Sequence, residues 1–187
     1  MDKLRNRLKQ VFTLKRVLFS SVILLIALLW FKYLAGIILV IVFTPITVFV
    51  IRYSRFIPHV TADCNIACAS LMGYAFGPII GAIYASVVGM ISLVVNSHVK
   101  IAALASILLA ALGSILCSIL GRSIGLSFNH AFMIVAIVRT VVAFPLYATL
   151  GTDPLENFTH QTSQMLCNLI IYLPLMGLIY SLFGPYL

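Results

Sequence analysis

A chain of 187 residues that is 63% hydrophobic and only 9% charged is not a soluble globular domain, whose apolar share is nearer a half. It reads as an integral membrane protein made of apolar spans and short loops. The net charge of +8 does not indicate a nucleic-acid partner, because six of the twelve basic residues (Lys3, Arg5, Arg7, Lys9, Lys15 and Arg16) precede the first apolar run.

Those six cations place residues 1–16 along the cytoplasmic surface, as a short amphipathic segment beside anionic lipid headgroups. Residues 17–187 then form one transmembrane domain of a multi-pass protein of the cell membrane, with the N-terminus inside. Val17–Phe31 and Leu34–Ile51 are two apolar segments separated by Lys32. Together they are too long for one span of about 20 residues, so a tight turn is expected between them. The run is also too long for a signal-peptide core. Arg52 and Arg55 follow on the cytoplasmic side.

Residues 56–65 are a polar lead-in, F-I-P-H-V-T-A-D-C-N. Ile66–Phe76 is short for a full crossing, and reads either as a tilted span or as a re-entrant half-helix. Gly77-Pro78 breaks it, and Ile79–Val95 is a span. Gly73, Gly77, Gly81, Ala85 and Gly89 recur every fourth residue across that break. On a helix this makes a ridge almost without side chains, the feature that lets helices approach closely in lipid. Asn96–Lys100 is a polar turn, Ile101–Leu120 a span and Arg122–His130 a loop. Ala131–Leu150 spans again, Gly151–Ser163 is a polar loop, and Gln164–Phe183 is the last span, broken mildly by Pro174. The fold expected is an all-α membrane bundle, compact, of six or seven transmembrane helices.

Arg139 is the most informative single residue. A charge that deep in a span costs roughly 2.5–3.5 kcal/mol, so it faces the bundle interior or a wet cavity. It either anchors an anionic ligand group, or pairs internally with a residue such as Asp63, or snorkels toward an interface. Gln164, Asn168 and Tyr172 share one side of the last span and either bond neighbouring helices or line a site. Asn96 is a further candidate, although helix capping explains it nearly as well. His59, Asp63, Cys64 and Cys68 lie close in sequence, but H-x3-D and C-x3-C face different ways on one helix, and no metal site is expected from them. The cysteines are dispersed through apolar segments and read as free buried thiols. No phosphate-binding loop, dinucleotide fingerprint, zinc-protease or nucleophile-elbow motif is present in the sequence. No cofactor is expected, and the chain reads as a non-enzyme.

The phrase F-G-P-I-I-G-A-I-Y-A-S-V-V-G resembles the substrate-binding (S) components of energy-coupling factor transporters. The lead-in A-D-C-N-I-A-C-A-S-L-M-G-Y-A, a small-residue helix ending in G-R, the Arg139 span, the G-x-x-P-L-like loop from Gly151 to Leu155, and a last span with Asn168 before a proline extend the likeness over residues 60–183. The resemblance implies an S-component-like six-helix fold that captures a vitamin or related micronutrient. It also implies docking on a membrane-spanning coupling subunit that carries two ATPase subunits. Two other readings remain open. One is a membrane scaffold of the rod-shape, cell-wall-assembly type. The other is an intramembrane Cys/His peptidase, in which a cysteine thiolate would need His59 as its base.

Overall fold

Gly77-Pro78 decides the architecture. Proline has no amide proton and its fixed backbone angle suits the first turn of a helix, so Gly77-Pro78 favours the end of one helix and the start of another. In the computed structural model, which describes residues 34–53, 63–96 and 101–184, the chain reverses at this point. Gly77 takes φ 120° and ψ 163°, outside the reach of residues with a side chain, and its amide donates to the Gly73 carbonyl at 3.0 Å.

The described helices are α1 (Leu34–Tyr53), α2 (Asn65–Phe76), α3 (Pro78–Val95), α4 (Ile101–Ile124), α5 (Phe128–Thr149), α6 (Pro154–Cys167) and α7 (Leu173–Phe183). A wider helical turn over Asn168–Tyr172 joins α6 to α7, so that Pro154–Phe183 runs on as one 30-residue helix. Five of these units are long and apolar enough to cross a membrane: α1, α3, α4, α5 and the α6–α7 helix. Large aliphatic side chains such as Ile79, Val94, Ile101 and Val141 cover their outer faces. This is a multi-pass helical membrane bundle.

Helix α2 is the exception, and the rest is built around it. Its 12 residues span about 18 Å, well short of a hydrocarbon core of about 30 Å. It is apolar on all sides and almost entirely buried, as a central helix should be. Helix α3 returns antiparallel along it. A Cβ on Gly81 would lie 2.5 Å from Gly73 Cα, so the two backbones touch. Further along, Asn65 Nδ2 donates to the Ala85 carbonyl at 3.1 Å. On another side, a Cβ on Gly73 would lie 2.5 Å from the Ser114 carbonyl of α4. Helix α1 packs with Gly36 against Phe76 and Thr47 against Cys64 and Cys68. Beneath the reversal, Phe128, Tyr74 and Tyr180 pack ring on ring, with centroids 5.1–5.7 Å apart.

The ends of α2 carry complementary charge. Asp63 Oδ1 accepts from the Asn65 amide at 2.9 Å at the N-terminus, and Arg122 Nη2 donates to the Ala75 carbonyl at 3.3 Å at the C-terminus. Each sits where the helix dipole favours it.

Several expectations are corrected. The small-residue ridge is not one face of one helix: Gly73 belongs to α2, Gly81, Ala85 and Gly89 to α3, and Gly77 is the hinge between them. The expected loop over 122–130 shrinks to residues 125–127, because Arg122 remains in α4 while Asn129 and His130 are already in α5. The loop expected over 151–163 ends at Asp153. Asp153 Oδ1 accepts from the amides of Leu155 and Glu156 at 2.9 and 3.1 Å, Pro154 opens the helix, and Glu156 lies in the first turn. Three local start signals outweigh the polarity of the segment. Asp153→Ala is expected to cost about 1 kcal/mol of stability, read as a lower unfolding midpoint in detergent. Residues 1–33 and 54–62, and with them the amphipathic segment, the first apolar run and His59, lie outside the described residues.

Candidate functional site

Four helices bring polar side chains together in the upper half of the bundle, at the end where α4 and α6 begin. Arg139 is ten residues from the end of α5, Ser106 five residues into α4 and Gln161 seven residues into α6. At the helical rise these positions lie about 15, 8 and 10 Å from that end of the bundle. Asp63, just ahead of α2, joins them because α2 is short: its N-terminus lies inside the bundle, level with the middle of α3.

Arg139 is only 4% exposed. Its Nη1 donates to Gln161 Oε1 at 3.0 Å, and its Nη2 donates to Ser106 Oγ at a long 3.4 Å. Ser106 Oγ in turn donates to Asp63 Oδ2 at 3.5 Å. The bonds between the cation and the carboxylate thus run through a neutral hydroxyl, and both are at the weak limit of hydrogen-bond geometry. Among the described residues, the one well-formed hydrogen bond that Arg139 donates goes to a neutral amide oxygen. Tyr147 and His160 come within electrostatic reach of Arg139 and Asp63, with their rings 6.5 Å apart.

A line of buried polar side chains runs through this cluster along the α6–α7 helix. Asn157, Gln161, Gln164, Asn168 and Tyr172 follow one another at spacings of four, three, four and four, which keeps them on one face of the α6–α7 helix. All five are buried. Each amide keeps an atom with no hydrogen-bond partner among the described residues: Asn157 Oδ1, Gln161 Nε2, Gln164 Oε1 and Asn168 Oδ1. Asn65 Oδ1, on α2, is a fifth such atom. Two orientations are fixed by chemistry. Gln161 accepts from a guanidinium, so its free group is the NH2; Asn157 Nδ2 donates to the Phe144 carbonyl at 3.0 Å, so its free group is the oxygen. An orphaned buried polar group costs about 1–3 kcal/mol. Ser70, Tyr84, Ser92 and Ser118 carry further buried oxygens of this kind among the described residues, and four of the nine such atoms lie on the α6–α7 helix.

The wider turn begins at Asn168, and the ring of Pro174 follows two residues after it. Proline clashes with the carbonyl four residues earlier, and widening the turn before it relieves that clash.

The sequence-predicted residues divide as follows. Asp63 and Arg139 come together through Ser106; Gln164, Asn168 and Tyr172 form the lower part of the same buried face. Asn96 ends α3 and donates to the Ser92 carbonyl of its own helix at 2.8 Å, a capping arrangement. Gly73, Gly81 and Gly89 make close helix contacts. Ser106, Gln161 and Asn157 were missed as site residues. The signal for the two amides was the N-Q-Q-N periodicity, hidden by reading 151–163 as loop.

Cys64 and Cys68 lie together against α1. Cys64 Sγ donates to Thr47 Oγ1 at 3.5 Å, and both thiols are buried. No three His, Cys, Asp or Glu side chains converge as a metal site among the described residues. A separate apolar groove of about 560 Å³ lies on the outer face of α3 and α4, lined by Pro78, Ala82, Ser86 and Ile115 among others. It contains no charged group.

Fold and site define a multi-pass membrane bundle with an internal polar cluster organised on a buried half-helix. No family model, no curated protein and no solved structure matches the chain.

Proposed function

We propose that this protein binds a small anionic solute inside its membrane bundle and serves as the substrate-capturing subunit of an importer, as the resemblance to S components of energy-coupling factor transporters implies. In that reading a membrane-spanning coupling subunit with two ATPase subunits drives release of the solute. Arg139 anchors the anionic group, Gln161 Nε2 supplies a second donor, and Asp63 holds the guanidinium in place through Ser106. The observation that carries the proposal is the buried guanidinium of Arg139, whose best partner is a neutral amide. A buried cation needs a counter-charge, and a ligand carboxylate or phosphate would supply one more closely than Asp63 does. The half-helix supports the same reading, because irregular backbone at membrane depth belongs where it is covered by protein or lines a cavity.

The test is thermal unfolding of the purified protein against a panel of small carboxylates and phosphates and their neutral isosteres. Some of the anions should raise the unfolding temperature, the neutral isosteres should not, and Arg139→Ala should abolish the response. Silence across the panel in both proteins favours the scaffold reading, in which Arg139, Gln161, Ser106 and Asp63 serve only to hold helices together.

A further inference from the structure

Cys64 and Cys68 take no part in the hydrogen bonds around Arg139, yet they meet deep in the bundle. Cys64 caps α2, and the Cys68 amide donates to the Cys64 carbonyl at 3.0 Å, so the two side chains stand one helical turn apart on one face. A single hydroxyl of α1 touches both. Cys64 Sγ donates to Thr47 Oγ1 at 3.5 Å, and Thr47 Oγ1 donates to Cys68 Sγ at 3.9 Å. The two thiols also interact with each other. A third helix closes the group. Tyr84 of α3 is only 4% exposed and comes within reach of Cys68 and Thr47, but its Oη makes no hydrogen bond among the described residues. Three helices thus bring two thiols and two hydroxyls together and leave one O–H donor idle.

We propose that Cys64 and Cys68 bind a soft monovalent cation of the Cu(I) type between their sulfurs. Thiolate sulfur selects such ions, and a closed-shell monovalent ion accepts two sulfurs in a line, with no need of a third ligand. The spacing suits it. Residues four apart on a helix carry Cβ atoms about 5–6 Å apart, and two metal–thiolate bonds of about 2.3 Å in line span about 4.6 Å. Binding releases one proton from each thiol, so one Cu(I) with two thiolates carries a single negative charge. A buried charge needs compensation. The N-terminus of α2 supplies the positive end of its dipole beside Cys64, where a thiolate is favoured. Thr47 and Tyr84 supply O–H donors, and Tyr84 gains an acceptor for its idle one. A disulfide is the competing fate of the same pair, but it requires an oxidant, whereas metal binding does not.

The test uses the full chain in lipid nanodiscs, with its thiols reduced and the reductant removed under nitrogen. It is titrated with Cu(I) held as the bicinchoninate complex under ascorbate, and loss of the colour of that complex reads the copper taken. Wild type should take up one equivalent, with sulfur-only coordination in copper-edge X-ray absorption. Cys64→Ala and Cys68→Ala should each lose the ion, and Cys117→Ala should keep it. Tyr84→Phe and Thr47→Val should each weaken binding by about tenfold, the lower end of what a hydrogen bond to a charged group contributes. Tyr84→Phe removes only an orphaned hydroxyl and should unfold no more easily than wild type, so it carries the test even where a cysteine variant fails to fold. No copper uptake by reduced wild type overturns the proposal, and closure of its two thiols to a disulfide under mild peroxide would then assign them to a redox pair. Uptake that persists when both cysteines are replaced by alanine overturns it equally. Neither result bears on solute binding at Arg139.

Discussion

On the solute-capture proposal, Arg139→Met should lower affinity for small anions by at least about 30-fold, the lower end of the roughly 2–5 kcal/mol that follows truncation of a buried, hydrogen-bonded charge. Methionine keeps most of the apolar stem and removes the donors. The same change leaves Gln161 Oε1 without its donor and Asp63 without the nearby cation, because Arg139 bonds Gln161 directly and reaches Asp63 through Ser106. The single variant should therefore also unfold more easily, by up to about 3–5 kcal/mol if the carboxylate stays charged. The double variant Asp63→Asn with Arg139→Met separates the two effects. It should recover most of the stability, since no lone charge remains, and should stay unable to bind anions. Recovery of binding together with stability would mean that Arg139 only supports the fold.

Gly81→Ala prevents formation of the folded bundle. The added Cβ would meet Gly73 Cα at 2.5 Å, Gly73 N at 2.6 Å and the Ala69 carbonyl at 2.8 Å. All three are backbone atoms of α2, and none can swing aside as a side chain would. Relief requires α3 to move off α2, which breaks the Asn65–Ala85 bond and opens the central packing. Overpacking of this kind costs typically 1–3 kcal/mol and more where backbone must shift. The expected result is loss of the monodisperse peak in size-exclusion chromatography. Gly125→Ala is the control. Gly125 has φ 77° with open space around it, so alanine there should cost only about 1 kcal/mol and leave a folded protein. Equal yields of the two variants would count against the backbone contact between α2 and α3.

The membrane class and most helix positions were legible in the sequence, because long apolar runs broken by Gly, Pro and short polar turns have few other readings. The break at Gly77-Pro78 was legible for the same reason. Its consequence was not. A four-residue repeat of small residues looks like a single ridge, and only tertiary structure shows that the chain doubles back at Gly77 so that Gly81 lies on Gly73. The polarity of Gly151–Ser163 misled in a second way. Hydropathy scores residues for lipid, yet Asn157, Gln161 and Gln164 turn inward, where the partners are other polar groups. Asp153, Pro154 and Glu156 carried the helix-start signal that would have corrected this. Arg139 and Asp63 stood out as charges in apolar surroundings, but their link depended on Ser106, which looks like any small residue in a packed helix.

Non-denaturing mass spectrometry of the protein extracted in lipid nanodiscs tests the central claim most directly. Wild type should carry a small anionic molecule beyond its lipids, and Arg139→Met, folded and prepared identically, should lack it. Spectra that match for the two proteins, with neither carrying a small molecule and neither taking one up from the anion panel, would contradict a solute-binding role.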